Sequence, residues 1–321
     1  MLKSVVKFAR VRIIATCFAL VFLGSAAAGG ITLKTLLGFV LIVAFTVHAN
    51  SINDYTDRDI DEVNLKDATD RPLVSKDISD NQFWVIHFGS GLIALLLSLA
   101  YGWRGFMLTL AILFIDYIYS LRPIRITDRT ILSPLLLAAA YVYYSFSLGF
   151  WSASVAPAYP WLLTLGLFFG FIARLLLKDF RDVKGDKQHG KITFLLRYGA
   201  KTTCFFSGLF WLLAMVVVAA SLSFPIGTII PLALGVLMAL IWLQKLSVVR
   251  DSKVQEGLVA TIAKSANVAI ITILAYLLCR NQASLSSLAT ELIPAVIGTV
   301  LLASNWVDYV SPKQQVHVRA N

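Results

Sequence analysis

Charge is scarce in this chain of 321 residues: Asp, Glu, Lys and Arg make up 14% of it, against about 25% in an ordinary soluble domain. A surface covered mainly by solvated charge is therefore excluded. Cysteine is nearly absent as well. Cys17, Cys204 and Cys279 each lie in an apolar run, which argues against a disulfide framework and reads as packing. The four histidines, His48, His87, His189 and His317, show no metal-ligand spacing, so no zinc centre is expected. No linker or low-complexity stretch divides the sequence, and residues 1–321 read as one polytopic domain.

What fills the chain instead is apolar sequence, 58% of all residues. Runs long enough to cross a bilayer, about 17–25 residues, are expected at 11–29, 34–53, 82–101, 104–120, 131–152, 160–178, 201–222, 225–244, 257–279 and 287–307. A backbone in lipid must satisfy its own hydrogen bonds, so each run is expected to be a helix. The fold class that follows is an all-α integral membrane protein, a bundle of nine or ten transmembrane helices. Lys3, Lys7, Arg10 and Arg12, an apolar stretch and Ser25-Ala26-Ala27-Ala28 have the outline of a secretory leader. Nine further runs follow, and a retained first helix keeps the charge pattern regular.

That pattern explains the net charge of +10. Segments 1–12, 57–81, 121–130, 178–201, 245–254 and 309–321 hold 23 of the 28 Lys and Arg residues. Alternate connections are basic, the positive-inside signature. It places the N-terminus on the cytoplasmic side, and the two acidic stretches with it. The charge reports topology, and no nucleic-acid partner is implied.

Acidic residues are concentrated further still. Nine of the 18 lie in 54–80 and three more in 179–186. Asp54, Asp57 and Asp61 share their spacing with Asp179, Asp182 and Asp186, and each set begins where an apolar run ends. At about 100° per residue, either triad falls within about 60° on one helix face. Carboxylates about 6 Å apart repel by roughly 2–3 kcal/mol per pair at an effective dielectric near 20. Two such triads need a compensating cation, to which Arg58 and Arg181 contribute as ion pairs. Mg²⁺ prefers oxygen ligands and binds through one or two carboxylates plus substrate phosphates. The six aspartates are therefore expected to hold Mg²⁺ and, through it, a diphosphate. Arg58, Arg71, Lys178, Lys184 and Lys187 lie beside the motifs, with Arg122 and Arg125 in a nearby basic stretch. Arg174, one turn before Lys178, is expected at the same mouth, contacting the diphosphate or the cap.

Asn53-Asp54-x-x-Asp57-Arg58-x-x-Asp61, the loop to Asp70-Arg71-Pro72-Leu73, and Lys178-Asp179-Phe-Arg-Asp182-Val-Lys-Gly185-Asp186 together resemble the UbiA-type membrane prenyltransferases. So do Tyr119-Ser120-x-x-Pro123-x-Arg125 and the stretch from Gly190-Lys191-Ile-Thr193 to Tyr198-Gly199. The resemblance covers about residues 10–280. It implies a helical bundle around a central cavity, a polyprenyl diphosphate at the cytoplasmic mouth, and an apolar tunnel open to the lipid bilayer. It also implies Mg²⁺-dependent transfer of the prenyl group to a lipophilic or aromatic acceptor, with a quinone- or tocopherol-type precursor favoured. Carried over to the metal and diphosphate site are Asn53, Asp54, Asp57, Arg58, Asp61, Asp179, Asp182 and Asp186, with Tyr119, Arg125 and Lys178. The stretches 53–81 and 178–200 would form a cytoplasmic cap that excludes water from an allylic cation. Two features depart from the family pattern: segment 287–307 is a tenth run where nine helices are usual, and the loop from Asp61 to Arg71 is a few residues longer than in many quinone- and chlorophyll-type members.

Asp116 stands in the middle of an apolar run, where a carboxylate costs about 2.5–3.5 kcal/mol. It is expected to face the interior, either touching the acceptor and taking its proton or hydrogen-bonding between helices. Tyr141, Tyr143, Tyr144 and Phe146 are candidates for a cavity wall, and Gly166, Gly170 and Gly235 for close helix packing. Two rival functions share these motifs. An intramembrane terpene cyclase needs the same ionisation without a second substrate. A transporter with a divalent-cation site needs its ligands near the midplane, whereas these lie at the membrane edge.

Overall fold

The apolar runs become helices in a computed structural model that describes residues 1–64, 71–153 and 157–310. The order is α1 (Leu2–Ala9), α2 (Val11–Ala27), α3 (Leu33–Thr56), α4 (Arg58–Asn64), α5 (Asp80–Ser98), α6 (Gly102–Ser120), α7 (Leu132–Ala139) and α8 (Ser145–Phe150). There follow α9 (Trp161–Leu175), α10 (Val183–Gln188), α11 (Phe194–Ser221), α12 (Ile226–Leu246), α13 (Ser252–Arg280) and α14 (Ser287–Val310). Polar caps set several starts: Thr32 and Ser79 form capping boxes with Thr35 and Gln82, and Thr193 and Asp251 accept from the third backbone N–H beyond them. Asp70, Lys66, Lys313 and Arg319 lie outside the described residues.

All ten expected spans fall on helices. Eight helical runs among the described residues are long and apolar enough to cross a membrane. One of these, Asp80–Ser120, is 41 residues long and holds two expected spans. It bends at Gly102, whose φ of 70° suits only glycine. The remaining span, α2, is an apolar helix of 17 residues. Helix α14 is the tenth. It runs antiparallel to α13, with Gly298 against Thr272, Asn305 on Ser265 and Lys264 on Asp308. The rim of the bundle is apolar, with Phe205 67%, Val216 66% and Val300 60% exposed, as a surface solvated by lipid requires. The protein is a multi-pass integral membrane protein.

Close backbone approach sets the centre of the bundle. A Cβ at Gly149 would stand 1.8 Å from the Val21 carbonyl oxygen, and one at Gly24 would stand 2.1 Å from that of Phe146. Helices α2 and α8 therefore cross at glycine on both sides, the small-residue packing that membrane helices favour. Gly166 does the same between α9 and α11, 2.6 Å from Val218. Gly170 and Gly235 make ordinary contacts of 3.7 and 3.5 Å, so only one of the three glycines singled out from sequence is needed for approach. Between α7 and α8 the turn Ala140–Tyr144 winds as a π-helix, a local widening often found at functional sites. It carries Tyr141 and Tyr144 into the interior, where Tyr144 meets Thr109 at 3.2 Å.

The two ends of the bundle differ in chemistry. At one, Ser25 hydrogen-bonds Thr35 and Ser152, and Asn281 donates to the Ala26 carbonyl. At the other, α1, the α3–α4 junction, the connection after α6 and the stretch from Lys178 to Lys191 meet through ion pairs. Gly149→Ala is expected to destabilise the bundle by about 1–3 kcal/mol or more, lowering the thermal unfolding midpoint in detergent. Gly170→Ala should leave that midpoint within about a degree or two, since a methyl group fits there without a clash.

Candidate functional site

The first motif straddles a helix junction. Helix α3 ends at Thr56, Asp57 occupies the break, and α4 resumes at Arg58. The backbone hydrogen bonds Asp57 N–H to Asn53 and Asp61 N–H to Asp57 carry the helical rise across it. Asp54, Asp57 and Asp61 consequently stay on one side, and their side chains are 2%, 9% and 14% exposed.

The second motif departs from the single helix expected. Lys178–Phe180 winds as a 3₁₀ turn, Arg181 and Asp182 form a turn, and α10 starts at Val183. Asp182 donates its N–H to the Asp179 carbonyl, three residues back, and Asp186 bonds four back to Asp182. The tighter 3₁₀ winding turns each residue by about 120°. Asp182 is 24% exposed but stays within electrostatic reach of Asp186 and Lys178, while Asp179 and Asp186 are buried, at 7% and 2% exposure.

Basic residues from four other places compensate these acids. Arg10, from the α1–α2 junction, is ion-paired with Asp54. Arg71 Nε lies 2.8 Å from Asp61 and 3.6 Å from Asp54. Arg125 Nη2 lies 2.5 Å from Asp57, and its Nε lies 2.9 Å from Asp128. Lys191 Nζ stands between the motifs, 3.6 Å from Asp57 and 3.8 Å from Asp186. Lys178 pairs with Asp179 at 2.7 Å and Arg181 with Asp182 at 2.9 Å. Asn53 donates to Asp57 at 3.2 Å.

Other expected members stand apart. Arg58 faces outward, 3.9 Å from exposed Asp80. Lys184, Lys187 and Arg122 are exposed. Tyr119 hydrogen-bonds Ser133 at 3.0 Å, within electrostatic reach of Lys191. Arg174 donates to Asn267 on α13 at 3.3 Å. Asp116 has a buried Oδ2 without a hydrogen-bond partner.

Sequence reasoning missed Arg10 and Lys191 as members of the cluster. Arg10 read as a topology signal. Lys191 was legible only as part of a motif string, because nothing in its spacing shows that it spans both acidic sets. Also unforeseen is a polar cluster between α3, α5 and α6. His48 and His87 stack at 4.0 Å, and His87 hydrogen-bonds Ser51 and Tyr117 at 2.9 and 2.8 Å. It ties the helix bearing the first motif to its neighbours.

Burial pushes the carboxyls of Asp61 and Asp186 up to about 6, even beside Arg71 and Lys191. Burial would pull the Lys191 ammonium down, but Asp57 and Asp186 outweigh it and hold the group above the usual lysine range. The donor set has the chemistry Mg²⁺ requires, carboxylate and amide oxygen. Asp54 Oδ2 and Asp186 Oδ1 are buried and have no hydrogen-bond partner, so each offers a free lone pair. Among the described residues no three such donors converge into a ready-made cage. The residues thus fit an ion that completes its coordination with substrate oxygens.

A sequence profile of the UbiA prenyltransferase family matches residues 13–260, and the chain belongs to that family. It is 30% identical over 203 residues to a chloroplastic 2-acylphloroglucinol 4-prenyltransferase of Humulus lupulus, covering 60% of this chain and 48% of that protein. The match thus spans about half the length of that relative. Among solved structures, one of a digeranylgeranylglyceryl phosphate synthase superposes with a TM-score of 0.64 at 21% identity, over 86% of this chain and 98% of that one. A UbiA homologue from Archaeoglobus fulgidus bound to GPP and Mg²⁺ gives 0.55 at 16% identity, over 95% and 98%. The fold is that of the family.

Lys191→Met removes the cation shared by two buried carboxylates. A loss on the order of 1–3 kcal/mol is expected, modest for a buried pair because both contacts are long. It should appear as a lower thermal midpoint in chelator. Added Mg²⁺ should restore most of it, since a dication can take the place of the ammonium.

Proposed function

We propose that this protein transfers a prenyl group from a polyprenyl diphosphate to a lipophilic or aromatic acceptor at the cytoplasmic face of the membrane. The observation that carries the reading is the meeting of both aspartate motifs through Lys191. Two acidic sets some 120 residues apart in sequence form one end of the bundle, with buried oxygens to spare. The basic connections that share this end support its cytoplasmic placement.

Asp54, Asp57, Asp61, Asp179, Asp182 and Asp186, with Asn53, are the residues to hold Mg²⁺. Bound there, the ion would neutralise charge developing on the departing pyrophosphate. Arg71, Arg125 and Lys178, with Arg10 and Lys191, supply further cations to the same diphosphate when it displaces their present carboxylate partners. Tyr119 borders the group. Arg58 is assigned no part in it.

In the reaction the allylic C1–O bond breaks and pyrophosphate leaves with the electron pair. The acceptor's carbon or oxygen supplies the pair that bonds to C1, and the acceptor then loses a proton. A motif aspartate is the side chain we assign to receive it; Asp116, buried without a compensating cation, is kept as a contact for the acceptor. Stretches 53–81 and 178–200 act as the cap that excludes water from the cation.

Purified protein given C10 to C20 prenyl diphosphates, Mg²⁺ and a panel of aromatic and glycerol-phosphate acceptors should release pyrophosphate only when an acceptor is present. Asp57→Asn and Asp182→Asn should each lower the rate by about 10²–10³-fold. Cyclised hydrocarbon formed without an acceptor would assign the protein to terpene cyclisation instead. A pH series tests the buried carboxyls. Asp61 and Asp186 titrate at about 6, so protons compete with a dication below that pH. Mg²⁺ affinity should be steady from pH 7 to 8 and fall steeply towards pH 5. A flat profile would remove these two residues from the site.

A further inference from the structure

On the lipid-facing side of the bundle, a groove between α11 and α12 has a polar end. It measures about 340 Å³, within the range of small-molecule sites. Its walls are Cys204, Phe205, Leu209 and Leu212 on α11, with Leu240 and Leu243 on α12. Each set follows helical spacing and forms one stripe. Gly208, on the α11 stripe, adds no side chain to fill the space. Apolar surface of this kind is by itself only what bulk lipid covers. The lining turns polar, however, at the end where α11 follows the second motif. There stand Lys201 on α11 and Gln244 and Ser247 at the end of α12.

Lys201 has no ion pair among the described residues. Its position does not serve the helix either. Gly199, at φ 81°, interrupts α11, and Lys201 falls in the first turn after the break, where a positive charge opposes the helix dipole. Lys245, the neighbouring cation on α12, is already engaged. Its Nζ donates to the Tyr309 hydroxyl at 2.6 Å and lies 5.1 Å from the centre of that ring. Ser247 donates to the Gln244 carbonyl at 2.7 Å, which leaves its own oxygen able to accept. The side-chain amide of Gln244 has no partner among the described residues and can donate. One ammonium and one amide thus meet at the head of an apolar groove. No side-chain hydrogen bond among the described residues joins α11 to α12.

Length and charge together identify the occupant. From Lys201 to Leu212 the stripe spans about 16 Å at 1.5 Å per residue, close to half of a hydrocarbon core about 30 Å thick. The groove therefore fits a molecule that occupies one leaflet, with its headgroup at the cytoplasmic surface. In a zwitterionic lipid the headgroup's own ammonium neutralises the phosphate, and Lys201 gains little. A phosphodiester with a net negative charge pairs with the ammonium and accepts from the amide, and basic pockets between membrane helices on this side take such headgroups. We infer that the α11–α12 groove binds an anionic phospholipid of the cytoplasmic leaflet, with its phosphate on Lys201 and Gln244 and one acyl chain along the groove. The lipid supplies the polar tie that the two helices lack. The site stands apart from the transfer reading, since none of its residues belongs to the aspartate motifs.

The test uses the full-length protein in neutral detergent. Dioleoyl phosphatidylglycerol, dioleoyl phosphatidylcholine, water-soluble glycerol phosphate and a prenyl diphosphate are added separately. Bound molecules are counted by native mass spectrometry, and thermal unfolding is followed in parallel. Phosphatidylglycerol should bind and raise the unfolding midpoint at concentrations where phosphatidylcholine and glycerol phosphate do neither. Lys201→Gln should weaken that binding about 5-fold, and Lys201→Arg should retain it. Leu209→Trp, which fills the groove from a position 40% exposed, should weaken it at least as much. Lys253→Gln, a change at an exposed cation outside the groove, should leave it unchanged. Lys201 and Leu209 are both exposed, so these variants should unfold at the original midpoint when no lipid is added. Equal binding of the two phospholipids overturns the inference and leaves an ordinary lipid-facing surface. Binding that survives Lys201→Gln, or falls equally with Lys253→Gln, overturns it in favour of diffuse surface charge. Stabilisation by glycerol phosphate alone would show a soluble-anion site instead. Lys201-dependent binding of the prenyl diphosphate in place of phospholipid would make the groove a path for that substrate and would also overturn the inference.

Discussion

Everything at the functional end depends on the compensation of buried carboxylates. Asp54, Asp57 and Asp186 are taken out of water where the helices emerge from the apolar bundle, and unpaired carboxylates there would be prohibitive. The fold answers with cations drawn from far along the chain: Arg10 before the first span, Arg71 in the first long connection, Arg125 after α6 and Lys191 before α11. These pairs do more than balance charge. They bind four connections into one layer, so that helices built separately from apolar sequence deliver their ends to one place. A dication and a diphosphate are the natural competitors for such a layer, since one takes the acids and the other the bases.

The apolar bundle supplies the rigid support. Glycine contacts between α2 and α8, and between α9 and α11, bring backbones together and fix how the helix ends are presented. The His48–His87–Tyr117–Ser51 cluster fastens α3 to α5 and α6 within about two turns of Asp54. By joining α3 to two neighbours it limits rotation of the helix on which the first three aspartates depend.

Much of this was legible in the sequence. Each of the ten apolar runs became helical, one of them as α7 and α8 joined by a π-helical turn, because a backbone in lipid has few alternatives. The span expected at 201–222 begins where Gly199, at φ 81°, interrupts α11. Both acidic motifs met at one end, as their common position after basic-flanked spans required. What could not be read was pairing at a distance. That Lys191 joins Asp57 to Asp186, or that Arg10 reaches Asp54, depends on how connections fold over the bundle end. Local geometry also differed: a 3.6-residue period put the second motif on one regular helix, whereas Lys178–Phe180 winds as a 3₁₀ turn and leaves Asp182 24% exposed. Arg58, carried over with the first motif, lies 3.9 Å from exposed Asp80, and Arg174, placed by its position one turn before Lys178, donates to Asn267; neither contact follows from spacing along the chain.

The claim that both motifs form one site, rather than two adjacent ones, is tested most directly by a double-mutant cycle between Asp57 and Asp186, read out as Mg²⁺-dependent affinity for a prenyl diphosphate. Asp57→Asn and Asp186→Asn should be strongly non-additive, with a coupling above about 1 kcal/mol, because both carboxylates act on the same ion and substrate. Strict additivity within about 0.3–0.5 kcal/mol would show that the two sets bind independently and would contradict the account.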